Sequence, residues 1–449
     1  MLVTAALGTM LMPLNSTMVA VALPDVIEDF DVSLASTAWL VTGYLIAQAS
    51  LQPLAGKLGD RVGRRLLILG GLASFGLASL GAALAPSLGM LIFFRVLQAV
   101  TGALVFPNCL ALLRELLPEE RRGTAFGFLA SAIGLAAAGG PPLGGALVAL
   151  GGWRAVFLVN LPWVAVAIWL ALRSIPAHLA LERHGRFDVT GAVALTLLLG
   201  GTAWLFNPGD VPGWAIAACI VALVGLIVSF IGYELLQDDP VLDPRFLRVR
   251  PFAAATASVG LSNVALYGTL LAVPVLLADR PGWSGGEIGL ALAGMSVPMF
   301  ALAPVGGRLS DSAGRRVAAV SGLALLTAGM LPLAAAGGDV ANEVLLGSIA
   351  LVGAGLGLSN AAVQVAGVEA LDPSHAGVAS GLFYTGRYLG GIAAASLVAA
   401  LVNGGQPNYG ALFTIEAVAA LLSTLLALAL PGRVRPPKTE ESTVGAAAT

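Results

Sequence analysis

The sequence predicts an all-α membrane protein with fourteen transmembrane helices, arranged as two six-helix bundles with two helices inserted between them. The 449 residues are 57% hydrophobic and only 11% charged, whereas a soluble domain carries about 25% charged residues. Fourteen segments reach the length of about 20 apolar residues that a spanning helix needs. Residues 56–65, GKLGDRVGRR, and residues 307–316, GRLSDSAGRR, share one template. Together, these observations indicate a duplicated helical membrane domain.

The fourteen apolar segments lie at 4–24, 35–55, 64–85, 87–113, 123–150, 153–172, 189–207, 213–233, 252–278, 286–306, 316–337, 343–368, 376–402 and 410–431. The first has no basic residues before it and no cleavage-site pattern, so it is predicted to be a helix of the mature protein. The predicted organisation is an N-terminal bundle at 1–172, a linker with two inserted spans at 173–250, a C-terminal bundle at 251–432 and a disordered tail at 433–449.

The basic residues predict the orientation of the helices. With residues 56–65 placed in the cytoplasm and the loops assigned by alternation, 19 of the 23 Lys and Arg residues fall in cytoplasmic loops or the tail. Arg154 and Arg280 fall outside, and Arg95 and Arg387 fall within helices. Because cytoplasmic loops carry an excess of basic residues, both termini are predicted to be cytoplasmic.

The two charged turns belong to a longer internal repeat. They are offset by 251 residues, and Asn108 and Asn360 are offset by 252. Gly123, Ala125 and Gly127 match residues 377, 379 and 381 at an offset of 254. The alternative is convergence between two glycine-rich runs. Parallel repeats of this kind are typical of transporters, whose substrate site lies between the halves.

Each charged turn joins the second and third spans of its half and is predicted to form an ionic latch at the cytoplasmic rim. Gly56 and Gly307 are expected to let two helices approach closely, and Asp60 and Asp311 are expected just before a helix start, where an anion is favoured. The other predicted gating residues of the two turns are Arg61, Gly63, Arg64, Arg65, Arg315 and Arg316. These arginines can pair with the aspartates, with neighbouring acids or with lipid phosphates. The alternative is that the basic residues only fix the topology.

Several motifs resemble those of the major facilitator superfamily. The turn at 56–65 resembles its signature loop, FRVLQAVTGA in the fourth span resembles its Arg-x-x-Gln-Gly motif, and GGPPLGGAL in the fifth resembles a motif of its exporters. Fourteen spans, together with FDVTGAVALTLLLG and GRYLGGIAAA, are similar to its fourteen-helix drug:proton antiporter branch. The resemblance covers most of the chain, but no motif is specific to a substrate.

The resemblance implies alternating access, in which two bundles rock around a central cavity. It implies that Asp60 and its arginine neighbours stabilise the outward-open state. It also implies that the fifth-span motif seals the outer side in the inward-open state, and the residues that suit this seal are Gly140, Pro141, Gly144 and Gly145. Proline bends a helix and glycine permits tight contact. The alternative for this motif is an ordinary proline kink.

Ionisable groups at membrane depth are candidates for coupling. Arg95, beside Gln98, matches the arginine that the family ties to proton coupling, and Arg387 matches an arginine common in the fourteen-helix branch. Either arginine could instead be structural, bonding to exposed carbonyls. Asn15 stands where that branch has a membrane acid, and it cannot titrate. Glu416 is then the best candidate by depth for the proton site, although it could also snorkel to the surface or face water. Coupling could instead use an acid at the rim, or be weak or absent.

A central cavity is predicted to be lined by apolar, aromatic and amide side chains, which suit broad recognition. The candidates are Asn15, Met18, Trp39, Tyr44, Gln48, Asn108, Asn263, Tyr267, Asn360, Gln364 and Tyr384. Each could instead face a neighbouring helix. The lack of a cavity carboxylate favours neutral, amphipathic or anionic substrates over cationic ones.

The sequence therefore predicts a secondary transporter that exports small amphipathic molecules and is powered by the proton gradient, with no cofactor. Two alternatives are an exporter dedicated to one endogenous metabolite and a non-transporting sensor. An intramembrane enzyme is disfavoured because the three histidines form no cluster. An ATP-driven pump is disfavoured because the sequence contains no phosphate-binding loop motif. We expect no catalytic or metal site and no nucleic-acid partner. The predicted form is a monomer in a bacterial cytoplasmic membrane.

Overall fold

The computed structural model describes residues 1–449 except 118, 177–187, 206–210, 238–241, 372–375, 403–406 and 433–449. It also leaves undescribed the helical side chains at 53, 57, 60, 114, 119–124, 126–127, 130–131, 138, 189, 285, 376–378 and 380. The predicted tail and the side chain of Asp60 thus lie outside the described residues. The part that is described is helical, with short connections.

The helices of the first half are α1 Leu2–Phe30, α2 Leu34–Thr37, α3 Trp39–Val62, α4 Arg64–Ala83, α5 Leu88–Leu116, α6 Glu119–Leu158 and α7 Asn160–Ser174. Two helices follow, α8 Val189–Leu205 and α9 Gly213–Leu236, with a 3-10 helix at Pro244–Arg248. The second half comprises α10 Arg250–Ala278, α11 Gly285–Ala313, α12 Arg315–Ala336, α13 Asn342–Glu369, α14 Ala376–Val402 and α15 Tyr409–Ala427, with a 3-10 helix at Gly337–Asp339.

Twelve helices of the described chain are long and apolar enough to cross a membrane. The two predicted spans missing from that number correspond to α7, with 15 residues, and α8, with 17 residues. Within the range given as α6, Gly151 and Gly152 leave the helical conformation, so two helices meet there, at the predicted loop between the fifth and sixth spans. The sixth segment is therefore divided between the end of α6 and α7, and the expected fourteen spans are not reached by length and composition.

The two halves use the same helix pairs. In the first half, α1 packs against α6, and both α3 and α4 pack against α5. In the second half, α10 packs against α14, and both α11 and α12 pack against α13. These pairs occupy corresponding places in the repeat that the sequence offsets predict. The charged turns therefore follow the second long helix of each half and lie at the same face of the molecule, the predicted cytoplasmic face.

A glycine with positive φ starts the third long helix of each half. Gly63, with φ 103°, lies between α3 and α4, and Gly314, with φ 105°, lies between α11 and α12. Their numbers differ by 251. A side chain is strained in this region of backbone space, whereas glycine adopts it readily. The glycine before the paired arginines of each turn is therefore required by the chain reversal.

The inserted helices lie at the side of the molecule. α8 packs against α3 and α14, one helix from each half, while α9 packs mainly against α8. Only 6% of the most apolar stretch of α9 is buried inside the protein. A helix that is apolar all round and covered by so little protein is suited to face lipid.

Candidate functional site

The halves meet most closely where α6 crosses α11 at the predicted outer face. The backbones of Gly145 and Gly289 touch there, so that a Cβ on either residue would collide with the other. α3 and α14 meet in the corresponding place, and Ala38 and Ala399 share a small buried cluster with Ala35. Numbers 38 and 289 differ by 251 and numbers 145 and 399 by 254, the offsets of the repeat. One small-residue contact is therefore built twice, and it closes this face.

The other two glycines of the fifth-span motif, Gly140 and Gly144, contact their own half. A Cβ on Gly140 would collide with Thr17, and one on Gly144 would lie 2.8 Å from the carbonyl oxygen of Met18, so both glycines pack α6 onto α1. Pro141 is buried beside them. Of the three glycines expected to suit the seal, only Gly145 contacts the other half, because the glycines of α6 lie on faces that point to different helices.

The hydroxyl groups of Ser16 on α1 and Tyr267 on α10 lie 3.4 Å apart, within hydrogen-bonding distance. The Tyr267 ring also lies beside Gly391 of α14, where a Cβ would be 3.0 Å from the ring and 2.8 Å from Leu45 of α3. Four helices, two from each half, therefore converge at this level. Tyr267 is 8% exposed, so it closes the centre of the interface in this state.

The charged turns form matching ion pairs at the predicted cytoplasmic face. Arg64 at the start of α4 pairs with Glu115 near the end of α5 at 2.6 Å. Arg315 at the start of α12 pairs with Glu369 at the end of α13 at 3.0 Å and with Asp311 at 2.6 Å. Both partners of each pair belong to one half. Glu115 and Glu369 were not among the predicted residues, although their numbers differ by 254, one of the repeat offsets.

The structure differs from the predicted latch in which glycines bring the helices close together. Gly307 has open space around it, and the residue that meets the backbone of Leu358 on α13 is Gly306. In the first half a Cβ on Gly56 would lie 4.0 Å from α5, whereas one on the neighbouring Gly59 would collide with Asn108. Close helix approach was predicted at Gly56 and Gly307. It occurs instead at Gly59, about one helical turn later, and at Gly306, one residue earlier.

The remaining turn residues take different positions. Asp60 and Asp311 lie in the last turns of α3 and α11, rather than directly before a helix. Arg61 is exposed and Arg65 is half-buried. Arg316 donates through Nε to the carbonyl oxygen of Leu430 at 2.7 Å. This arginine therefore ties the turn to the chain just after α15 instead of to an acid.

Arg95 is completely buried in the first half and is surrounded by neutral acceptors. Its Nη1 donates to Oδ1 of Asn15, and to Oε1 of Gln98 at 2.9 Å. Its guanidinium carbon lies 4.1 Å from the centre of the Tyr44 ring, a cation–π contact. Nη2 has no hydrogen-bond partner among the described atoms. Asn15, at the position of the family's membrane acid, therefore solvates this cation without neutralising it.

Glu416 lies in the interior of the second half. It is completely buried, and neither carboxylate oxygen has a hydrogen-bond partner in the described part of the chain. The carboxyl group packs against Gly268 of α10, where a Cβ would collide with it. The alternatives in which Glu416 snorkels to the surface or faces water are therefore wrong. A buried, unpaired carboxylate is costly to ionise, so this group is suited to carry a proton.

The predicted cavity residues divide into two groups. Asn15, Met18, Tyr44, Gln48, Asn108, Asn263 and Tyr267 are buried, while Trp39, Asn360, Gln364 and Tyr384 keep part of their surface exposed. Asn108 donates to the carbonyl of Ala55 on α3 at 2.9 Å, so for this residue the helix-packing alternative is correct. Gln364 donates to the Tyr384 hydroxyl at 2.9 Å, and Tyr384 meets the ring of Phe106 edge-on across the interface between the halves.

The family model of the Major Facilitator Superfamily matches residues 5–237 and 252–448. The chain belongs to the Major Facilitator Superfamily. Members of this superfamily are carriers, so this chain is a multi-pass membrane transporter and not an enzyme. The model match stops at 237 and resumes at 252, on either side of the connection from α9 to α10.

The chain is similar to other superfamily members from bacteria. It is 34% identical over 426 residues to the uncharacterized MFS-type transporter YvkA of Bacillus subtilis, covering 94% of this chain and 95% of YvkA. It is 33% identical to the tetracenomycin C resistance and export protein of Streptomyces glaucescens, covering 87% and 73% of the two chains. The inward-open structure of the E. coli xylose transporter XylE has the same fold, with a TM-score of 0.68, 15% identity and 96% coverage of both chains.

Proposed function

We propose that this superfamily member exports small amphipathic molecules by alternating access, coupled to proton entry. The observation that carries the proposal is the doubled contact at Gly145–Gly289 and Ala38–Ala399. It closes the predicted outer face, while Gln364 and Tyr384 stay partly exposed nearer the predicted cytoplasmic face. A binding region closed to the outside and accessible from the cytoplasm is the loading state that an exporter needs.

The names of relatives support an export direction. They include the tetracenomycin C resistance and export protein. They also include the multidrug resistance protein Stp of Mycobacterium tuberculosis, which is 30% identical over 393 residues. We infer the same class of activity here, in the cytoplasmic membrane with both termini in the cytoplasm. We also infer fourteen spans, in which α8 and the helical segment that follows Gly152 and continues into α7 complete the set.

Glu416 is the proton site in this proposal. The two halves contain only three charged side chains at least seven residues from either end of their helices, Arg95, Arg387 and Glu416. Of these, only the glutamate changes charge under physiological conditions. Its contact with Gly268 puts it directly behind the turn of α10 that carries Tyr267. Movement of α10 when Tyr267 leaves Ser16 would change the surroundings of this carboxyl group, which is what proton coupling requires.

Transport in proteoliposomes tests the proposal. Purified protein is reconstituted into liposomes with an acidic lumen, and uptake of fluorescein and ethidium is followed with the gradient present and after an ionophore has collapsed it. We expect gradient-dependent accumulation of at least one dye. A protein that binds a dye but moves neither one, with or without the gradient, would contradict export and would favour the sensor alternative.

A further inference from the structure

The charges of the interior are unbalanced on the two sides of α10. Glu416 lies behind α10, packed on Gly268 and completely buried. Arg387 is half-buried near the middle of α14, which runs from Ala376 to Val402. The sequence has no acidic residue in the parts of α3, α10 and α13 at 39–56, 252–278 and 344–368. The space between the halves therefore receives a cation without a carboxylate of the same depth.

The packing of α14 shows which way Arg387 points. Gly386 and Gly390 lie against α10, because a Cβ on either would press on its backbone. Gly391 faces the first half at Leu45. Each helical residue is rotated by about 100° from the one before, so Arg387 lies on the sector between Gly390 and Gly391. That sector faces the space that α10 and the first half border.

The surroundings of Arg387 are polar and neutral. Tyr384, one turn earlier on α14, is on the side that meets Phe106 of the first half, and its hydroxyl accepts a hydrogen bond from Gln364. Asn360, one turn before Gln364 on α13, is also partly exposed. The guanidinium of Arg387 makes no hydrogen bond or ion pair within the described chain. It thus differs from Arg95, which is enclosed by its acceptors.

We propose that Arg387, with Tyr384, Gln364 and Asn360, forms a subsite for the anionic group of the substrate, and that the preferred substrates are amphipathic organic anions such as carboxylates or phenolates. A guanidinium can form two parallel hydrogen bonds with a carboxylate, and such charge-assisted bonds are the strong ones. An uncompensated cation in a low-dielectric region repels cationic ligands by the same physics. The inference rests on the proposed function, since it names the chemical class that the exporter takes.

Dye binding tests the subsite without requiring transport. Binding of fluorescein, an anion at neutral pH, and of ethidium, a cation, is measured by fluorescence anisotropy on the purified full-length protein. We expect wild type to prefer fluorescein. Arg387→Gln should weaken fluorescein binding by about tenfold, which corresponds to about 1.4 kcal/mol, while Arg387→Lys retains most of it. Arg173→Gln, at the far end of α7, is the matched control and should bind as wild type does.

The outcomes separate this inference from the proposed function. Fluorescein binding that depends on Arg387, combined with no transport of either dye, would leave the inference standing and contradict export. The inference is overturned if wild type shows no preference for fluorescein. It is also overturned if Arg387→Gln binds fluorescein normally. Equal loss of both dyes in Arg387→Gln and Arg387→Lys, with unchanged thermal unfolding, would show a role in shape instead of charge recognition and would overturn it too.

Discussion

The Ser16 and Tyr267 hydroxyl groups, 3.4 Å apart at the centre of the interface, occupy corresponding positions of the repeat. Their numbers differ by 251, the offset between the two charged turns. A contact between equivalent positions lies at the axis that relates the halves. This hydrogen bond therefore joins α1 and α10, one helix from each half, at the centre of the interface, and it would break when the halves separate in the proposed motion.

Tyr267→Phe removes this hydrogen bond but keeps the ring beside Gly391. The net contribution of such a bond is about 0.5–1.5 kcal/mol, so we expect the population with a closed outer face to fall several-fold. Spin labels are attached at the exposed positions Leu150 on α6 and Leu290 on α11. Pulsed electron paramagnetic resonance should then show a longer distance between the two labels. Cys109 and Cys219 are replaced in all of these proteins.

Ser16→Ala provides the control for the tyrosine change. If the two hydroxyls act on each other, the double variant should show no larger shift than either single variant. Additive shifts would contradict a direct bond between them.

Gly145→Ala should prevent the outer face from closing. The added methyl group would collide with Gly289, and overpacking of this kind costs about 1–3 kcal/mol. We expect transport to fall by about tenfold or more and the Leu150–Leu290 label distance to lengthen. Gly139→Ala is the matched control, because a Cβ at Gly139 meets nothing within 4 Å. A Gly145→Ala protein with normal transport would refute the seal.

Asn15→Asp should stabilise the first half. The new carboxylate would accept from Arg95 in place of a neutral amide, and charge-assisted hydrogen bonds are about twice as strong as neutral ones. After the cost of burying the new charge is subtracted, we expect a net gain of about 1 kcal/mol in the free energy of unfolding. Thermal unfolding in detergent measures this gain. Asn15→Leu, which removes the acceptor, should lower the unfolding temperature. Destabilisation by both changes would contradict this description of the Arg95 site.

Glu369→Gln and Glu115→Gln should have small effects on stability. Both acids are partly exposed in their pairs with Arg315 and Arg64, and exposed ion pairs contribute about 0.2–1 kcal/mol. We expect a small drop in unfolding temperature that disappears at high salt, because salt screens exposed charges. Because each pair lies within one half, the label distance across the outer face should change little. A large increase in the label distance in either variant would contradict this prediction, because it would show that the pair helps to hold the halves together.

The sequence predicted the duplication and, with it, which residues of the two halves occupy equivalent positions, because a constant offset pairs each residue with its counterpart. Arg64 and Arg315 therefore have corresponding partners, and Gly63 and Gly314 share one backbone conformation. Rotation of a helix about its axis is not encoded in such an offset. For this reason the sequence could not distinguish Gly307 from Gly306, which makes the contact. It also could not show that Asn108, a cavity candidate, bonds to α3.

The depth of Glu416 was also readable from the sequence, but its surroundings were not. Depth follows from counting residues along an apolar segment, whereas burial depends on which side of α15 meets α10. The predicted boundary between the fifth and sixth spans is confirmed, because Gly151 and Gly152 leave the helical conformation there.

Proton movement during dye exchange tests the central claim most directly. Liposomes containing wild type and a luminal pH indicator receive a transported dye, and the change in luminal pH is recorded. We predict that dye entry drives protons out in wild type. In Glu416→Gln, the dye should still exchange down its gradient without moving protons. Glu343→Gln, which alters an exposed acid at the start of α13, should behave as wild type. Wild-type proton movement in Glu416→Gln would contradict the account.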